Sequence, residues 1–171
     1  DFSNIMQTPY AGWTIAGMVS SQCGLPLYTT FVPEEIEGMS NFMPRATCLG
    51  DLLKKVGYEL AYFGGADLAF AGKGNFYRTH GFDWLEGKLE LENELVDPNY
   101  QTSWGLYDDS LLEIAKQKFL QLGNKGEPFG FFALTLDTHH PYGHPSASCD
   151  GLKYGSVDNS ILDAVVCSDY L

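Results

Sequence analysis

Residues Phe129–Leu136 (FGFFALTL) carry no charge and run directly into Asp137-Thr-His-His-Pro-Tyr142. An apolar run of this length is the pattern of a strand covered on both faces, and such strands belong to mainly parallel sheets with helices on either side. Ligands of these α/β folds sit beyond the carboxyl ends of the strands. The polar cluster after Leu136 is therefore the first place to expect chemistry.

The rest of the chain supplies elements for such a sheet. A short buried helix is expected from Thr14 to Cys23, with Gly24 as its stop. Thr47–Gly57 reads as a helix with a Thr cap and with Leu49, Leu52, Leu53 and Val56 on one face. A strand at Tyr58–Phe63 follows, then a Gly64-Gly65 turn and a short helix over Ala69–Thr79. Residues 86–103 are acidic and are expected to form an irregular surface excursion. Asp108 or Asp109 is expected to cap a helix that runs to about Leu122, and a last helix begins near Val157.

Composition bounds the function classes. The chain has 171 residues, 44% of them hydrophobic, enough apolar surface for a sizeable core. A net charge of −12 argues against a nucleic-acid binder, which needs a basic face to follow phosphates. It also means that an anionic substrate has to be held by a local cation. No apolar run reaches the roughly 18 residues of a transmembrane helix, and the polar opening Asp1–Gln7 is not a signal peptide. Cys23, Cys48, Cys149 and Cys167 contain no CxxC pair. Four cysteines allow three pairings; the sequence-near one, Cys23–Cys48 with Cys149–Cys167, suits an oxidising compartment, and four reduced buried thiols are the alternative.

Three side chains stand out. Thr14 at a helix start has its hydroxyl beside unpaired N–H groups and the positive end of the dipole, which suits an alkoxide or phosphoryl group; taken alone it is also an ordinary cap. His139, in the cluster after the strand, can donate to a phosphate oxygen or act as an acid. Neighbouring side chains on extended chain diverge, so one of His139 and His140 is expected to face a given site. Lys73 can hold a phosphate as a point charge, or can simply be solvated. Dinucleotide, P-loop, zincin and α/β-hydrolase signatures are absent.

The segments GWTIAGMVSSQCGLPL, CLGDLLKKVGYE, GGADLAFAGKGNFYRTHGFD, WGLYDDSLL and LTLDTHHPYG, in this order, resemble the phosphoglycerol transferase I / lipoteichoic acid synthase-like family of the sulfatase/alkaline phosphatase superfamily. The likeness covers nearly the whole chain and implies an alkaline phosphatase/sulfatase-like, mainly parallel sheet flanked by helices, with residues 1–171 a truncated portion of one catalytic domain. It implies that Thr14 attacks the phosphorus of phosphatidylglycerol, forms a covalent glycerophospho-threonine and passes glycerophosphate to a periplasmic glucan or other glycerophosphate acceptor. Thr14 would also ligate a divalent metal, Mn or Mg, while His139 and Lys73 contact substrate; Lys73 stands where a relative has Arg.

The chain departs from the family in places. Ala71 replaces a pocket Trp, and Gly64-Gly65-Ala66 replaces a His-Gly-Asp segment. The family's upstream Glu ligand would precede Asp1, and its Asp-His ligands would follow Leu171, as would membrane helices lie before the chain. The resemblance thus implies a periplasmic domain of an inner-membrane protein, and a piece of it that binds metal poorly, turns over slowly and self-associates through uncovered apolar surface. A sulfatase-like phosphoethanolamine transferase or phosphohydrolase is the rival within the superfamily. A non-catalytic glucan-binding module, stacking sugars on Trp13, Tyr28, Trp84 and Trp104, is the rival outside it.

Overall fold

The computed structural model describes residues 4, 6–29, 33–156 and 158–171; the expected helix start at Val157 lies outside them. Three parallel strands form the sheet: β1 (Glu59–Gly64), β2 (Trp84–Glu86) and β3 (Phe129–Leu134), in the order β2-β1-β3. Glu59 pairs with Phe129 and Gly64 with Leu134 on one side, and Ala61 pairs with Trp84 on the other. Around it lie α1 (Thr14–Cys23), α2 (Pro33–Glu37), α3 (Leu49–Lys55), α4 (Lys73–Thr79), α5 (Lys88–Leu91), α6 (Asp108–Gly123) and α7 (Ser160–Tyr170). Short 3₁₀ turns cover Phe70–Gly72, Glu92–Glu94 and Ala147–Cys149.

The period-two geometry of β1 divides the core. Leu60 and Tyr62 point into one cluster, with Ile15, Val19, Phe42 and Phe76; Ala61 and Phe63 point into the other, with Leu91, Leu106, Leu111 and Leu122. Each large side chain contributes about 1.5–3 kcal/mol on burial, so the two clusters outweigh the three-residue pairing of β2. The fold is the expected α/β one, with a parallel sheet between helical layers.

Several local expectations are corrected. The strand covered on both faces is β1; β3 is only half-buried, and among the described residues it pairs on one side alone. Cys48, not Thr47, is the cap of α3, where Asp51 Oδ2 accepts the Cys48 N–H at 2.8 Å. Of the expected apolar face of α3 only Leu53 packs on the core, while Leu49, Leu52 and Val56 are exposed. The acidic excursion is ordered in its first half, where α5 and a 3₁₀ turn follow β2 and Leu91 is fully buried in the second core cluster, and irregular over residues 95–100 as expected. The helix expected over Ala69–Thr79 breaks at Ala71 and Gly72, both in left-handed conformation. Two disulfides close local loops: Cys23–Cys48 joins the end of α1 to the start of α3, and Cys149–Cys167 joins the last 3₁₀ turn to α7.

Candidate active site

Thr14 is the first helical residue of α1. Trp13 occupies the cap in extended conformation with no side-chain hydrogen bond, so the Thr14 hydroxyl is not spent on capping. The first intrahelical bond runs from Gly17 N–H to the Trp13 carbonyl (3.0 Å), which leaves the N–H groups of Thr14, Ile15 and Ala16 without helical partners. Buried Ile15, Ala16, Met18 and Val19 seat the helix; Gly24 (φ 67°) and the Cys23–Cys48 bridge end it. The exposed Thr14 side chain lines a cleft of about 630 Å³ with Gly17, Met18, Tyr77, Phe132 and Leu134. This is the carboxyl end of β3, where α/β folds bind ligands.

Lys73 opens α4, beyond the carboxyl end of β1, and is not the solvated lysine of the bland expectation: it is 2% exposed. Among the described residues no carboxylate lies within 4.0 Å of its Nζ, which stands 4.7 Å from the centre of the Phe70 ring. Burial pulls its ammonium down to about 8, against the longer-range pull of Asp67 and Glu37. A buried cation without an ion-pair partner among the described residues has room in its electrostatics for an anion.

Phe70 meets the Trp104 indole edge-on at 5.8 Å, and Trp104 lies against the His139 imidazole at 4.4 Å and 31°. His140 stacks on His139 at 5.1 Å and 15°. The two adjacent imidazoles therefore face one another, contrary to the extended-chain expectation. The segment is turned rather than extended: His139 N–H donates to the Leu136 carbonyl (2.9 Å) and Gly143 N–H to that of His139 (3.0 Å). The contacts thus bring Lys73 and His139 onto one run of rings. Among the described residues no hydrogen bond or ring contact joins Thr14 to either; they share only the carboxyl side of the sheet.

Three carboxylates fix the loop that carries His139. Asp108 does not cap its own helix but reaches across: its Oδ1 accepts the N–H groups of Leu136 (2.6 Å) and Asp137 (3.2 Å), and its Oδ2 accepts from the Ser168 hydroxyl. Burial holds the Asp108 carboxyl above the usual carboxylate range. Asp109 accepts from Ser148 and Tyr100 hydroxyls; burial works to raise it, but these bonds outweigh that and lower it. Asp137 is fully buried, its Oδ2 accepting from the Ser146 hydroxyl and its Oδ1 unpartnered among the described residues. Burial, with the charges of Asp108 and Asp109 nearby, pushes it up to about 7.

A divalent ion on Thr14, which the resemblance implies, finds no complete ligand set among the described residues. Among the described residues the one cluster of three potential ligand groups is Cys23, Cys48 and His80, and both sulfurs there are spent on a disulfide. Gln22, about two turns further along α1 on the same cleft, donates from Nε2 to the Tyr77 hydroxyl at 2.9 Å. Among the described residues no carboxylate or imidazole lines the Thr14 cleft. Phe70, Asp108 and Asp137 lie outside the expected site residues, and Trp104 is expected only as a sugar-stacking platform of the rival reading. Only the position of Asp137 directly after an apolar run hinted at its burial.

Comparison with known proteins gives the arrangement a family. The sulfatase family model matches residues 5–171. Phosphoglycerol transferase I of Salmonella arizonae is 46% identical over 170 residues, covering 98% of this chain and 22% of that protein. Phosphoglycerol transferase I of Escherichia coli O127:H6 gives the same identity and coverage. The chain thus spans about a fifth of the length of these curated relatives. A crystal structure of an alkaline phosphatase superfamily protein from Vibrio parahaemolyticus superposes with TM-score 0.65 at 26% identity, over 90% of this chain and 36% of that one. The lipoteichoic acid synthase LtaP of Listeria monocytogenes shares the fold, with TM-score 0.66 at 18% identity over 91% of this chain and 37% of its own. No helix among the described residues is long and apolar enough to cross a membrane. With an exposed threonine at a helix start and a buried lysine that has no ion-pair partner among the described residues, the chain belongs to the sulfatase family and is similar to the phosphoglycerol transferase I sequences.

Proposed function

We propose that this chain supplies the nucleophile and the anion-holding half of a phosphoglycerol transferase. The observation that carries the reading is Lys73: a buried lysine without a carboxylate partner among the described residues, on the same run of rings as His139. In a chain of net charge −12, a cation held this way marks where a phosphodiester would lie.

Thr14 Oγ attacks the phosphorus of phosphatidylglycerol. The bond from phosphorus to the diacylglycerol oxygen breaks, diacylglycerol leaves carrying a proton, and glycerophosphate stays on Thr14. An acceptor hydroxyl then attacks the phosphorus, the Thr14 oxygen leaves and regains a proton. The open N–H groups of the first turn of α1 stabilise charge on the phosphoryl oxygens, and Lys73 and His139 neutralise the rest. When bound, an Mn or Mg ion would lower the pKa of the Thr14 hydroxyl. The acceptor in this reading is a periplasmic glucan, and the site faces the periplasm from a membrane-anchored protein. The relatives' names support phosphoglycerol transfer, and the two disulfides support an oxidising compartment.

The test uses a protein extended to the length of the relatives, given Mn and a phosphatidylglycerol analogue and read by peptide mass spectrometry. A glycerophosphate adduct on Thr14, absent from Thr14→Ala, is the expected result. No adduct on a folded, metal-loaded protein overturns the reading in favour of another head group or a glucan-binding role.

A further inference from the structure

Trp104 is 40% exposed, although its two ring neighbours are His139 and Phe70, the ring under Lys73 Nζ. A tryptophan kept for packing is mostly covered. This one stands on a turn built to hold it out. Trp104 N–H and Gly105 N–H both donate to Thr102 Oγ1 at 3.1 Å, and Thr102 N–H returns to the Gly105 carbonyl at 2.7 Å. The turn is pinned to the end of β1, where Gly105 bridges Ala66 and Leu106 N–H donates to the Gly65 carbonyl at 3.0 Å.

His139 has one nitrogen to spare. Its Nδ1 lies 2.7 Å from the His140 carbonyl, an acceptor only, so Nδ1 carries a hydrogen and donates it. Nε2 is the atom left for a ligand, and it donates to a phosphoryl oxygen when the ring carries its second proton. Where it points depends on the ring plane, and the ring plane is set by Trp104 and His140. The edge of the same indole also rests on Phe70, the ring beneath Lys73 Nζ.

We propose that Trp104 is a positioning residue that sets the spacing between His139 Nε2 and Lys73 Nζ, so that both address one phosphoryl group. The proposal rests on the transferase reading for the identity of the ligand, but not for the geometry of the pair.

A binding measurement needs no activity. With Trp13→Phe and Trp84→Phe, Trp104 is the one indole left in this chain, and inorganic phosphate is titrated against its fluorescence. A saturable change that His139→Gln abolishes supports the proposal; no change, or an unaltered change in His139→Gln, overturns it. In the protein of the relatives' length, Trp104→Leu is expected to lower kcat for glycerophosphate transfer by about 10²-fold with KM nearly unchanged, and Trp104→Phe to restore most of it. Equal loss in the Phe variant, or a loss confined to KM, overturns it. If the unaltered protein forms no adduct on Thr14 while phosphate still moves Trp104 emission through His139, the transferase reading fails and the positioning role stands.

Discussion

Asp108 Oδ1 accepts the backbone N–H of Leu136 at 2.6 Å, so the first turn of α6 holds the chain as it leaves β3. Because Asp137 N–H shares the same oxygen, Asp108→Ala leaves two buried donors without an acceptor. The expected cost is about 2–3 kcal/mol in urea unfolding, with Asp108→Asn, which keeps one carbonyl oxygen, costing less.

Asp137 gives the same loop a pH dependence. Its folded value of about 7 lies above the unfolded one near 4, so the folded state holds the proton more tightly. This group's contribution is favourable below about pH 4 and is lost as pH rises through about 7. Asp137→Asn is expected to match the unaltered chain near pH 4 and to exceed it by on the order of 2 kcal/mol at pH 8, as read by chemical denaturation across pH. A constant difference over that range contradicts the assignment.

Lys73 behaves in the opposite sense. Its folded value of about 8 lies below the ordinary lysine value, so the cost of holding the cation is present below about pH 8 and fades as pH climbs toward the unfolded value. Lys73→Met is expected to stabilise the fold at pH 7, by on the order of 1–3 kcal/mol, and to lose that advantage in alkali. The same substitution is expected to weaken phosphate binding at least about tenfold, as measured by calorimetry at pH 7. A variant both less stable and equally retentive of phosphate would show that Lys73 serves packing alone.

What the sequence made legible was local. Helical spacing and Gly24 located α1, so Thr14 could be placed at a helix start; an apolar run placed the DTHH cluster at a strand end. The missed relationships all cross long stretches of chain. Asp108 reaches Leu136 across 28 positions, and Trp104 meets His139 only because the Thr102–Gly105 turn is pinned to the end of β1. Lys73 looked like any surface lysine because burial is a property of what packs around it. The expectation of diverging imidazoles assumed extended chain and failed where backbone bonds turn it.

Gly105 is the test of that turn. At φ 155° it brings its backbone against the Gly65 carbonyl, and a Cβ there would collide with that oxygen. Gly105→Ala is expected to displace Trp104, destabilise the fold by about 1–3 kcal/mol and reduce the phosphate-dependent fluorescence change.

The Cys23–Cys48 bridge closes a loop of 25 residues that contains the end of α1. Replacing both cysteines with serine is expected to lower stability by about 3 kcal/mol in thermal or urea unfolding.

Strand order also dictates the order in which the protein can be made. β1 lies between β2 and β3, and its second edge is covered only when Phe129–Leu134 arrives, long after Glu59–Gly64 has left the ribosome. Through that interval a nascent chain displays an open, apolar strand edge, a surface that invites aggregation or a chaperone. Lys73 is synthesised before the gap is closed and His139 just after it. The proposed anion site therefore comes together with the last strand pairing, and not with the helix that carries Lys73.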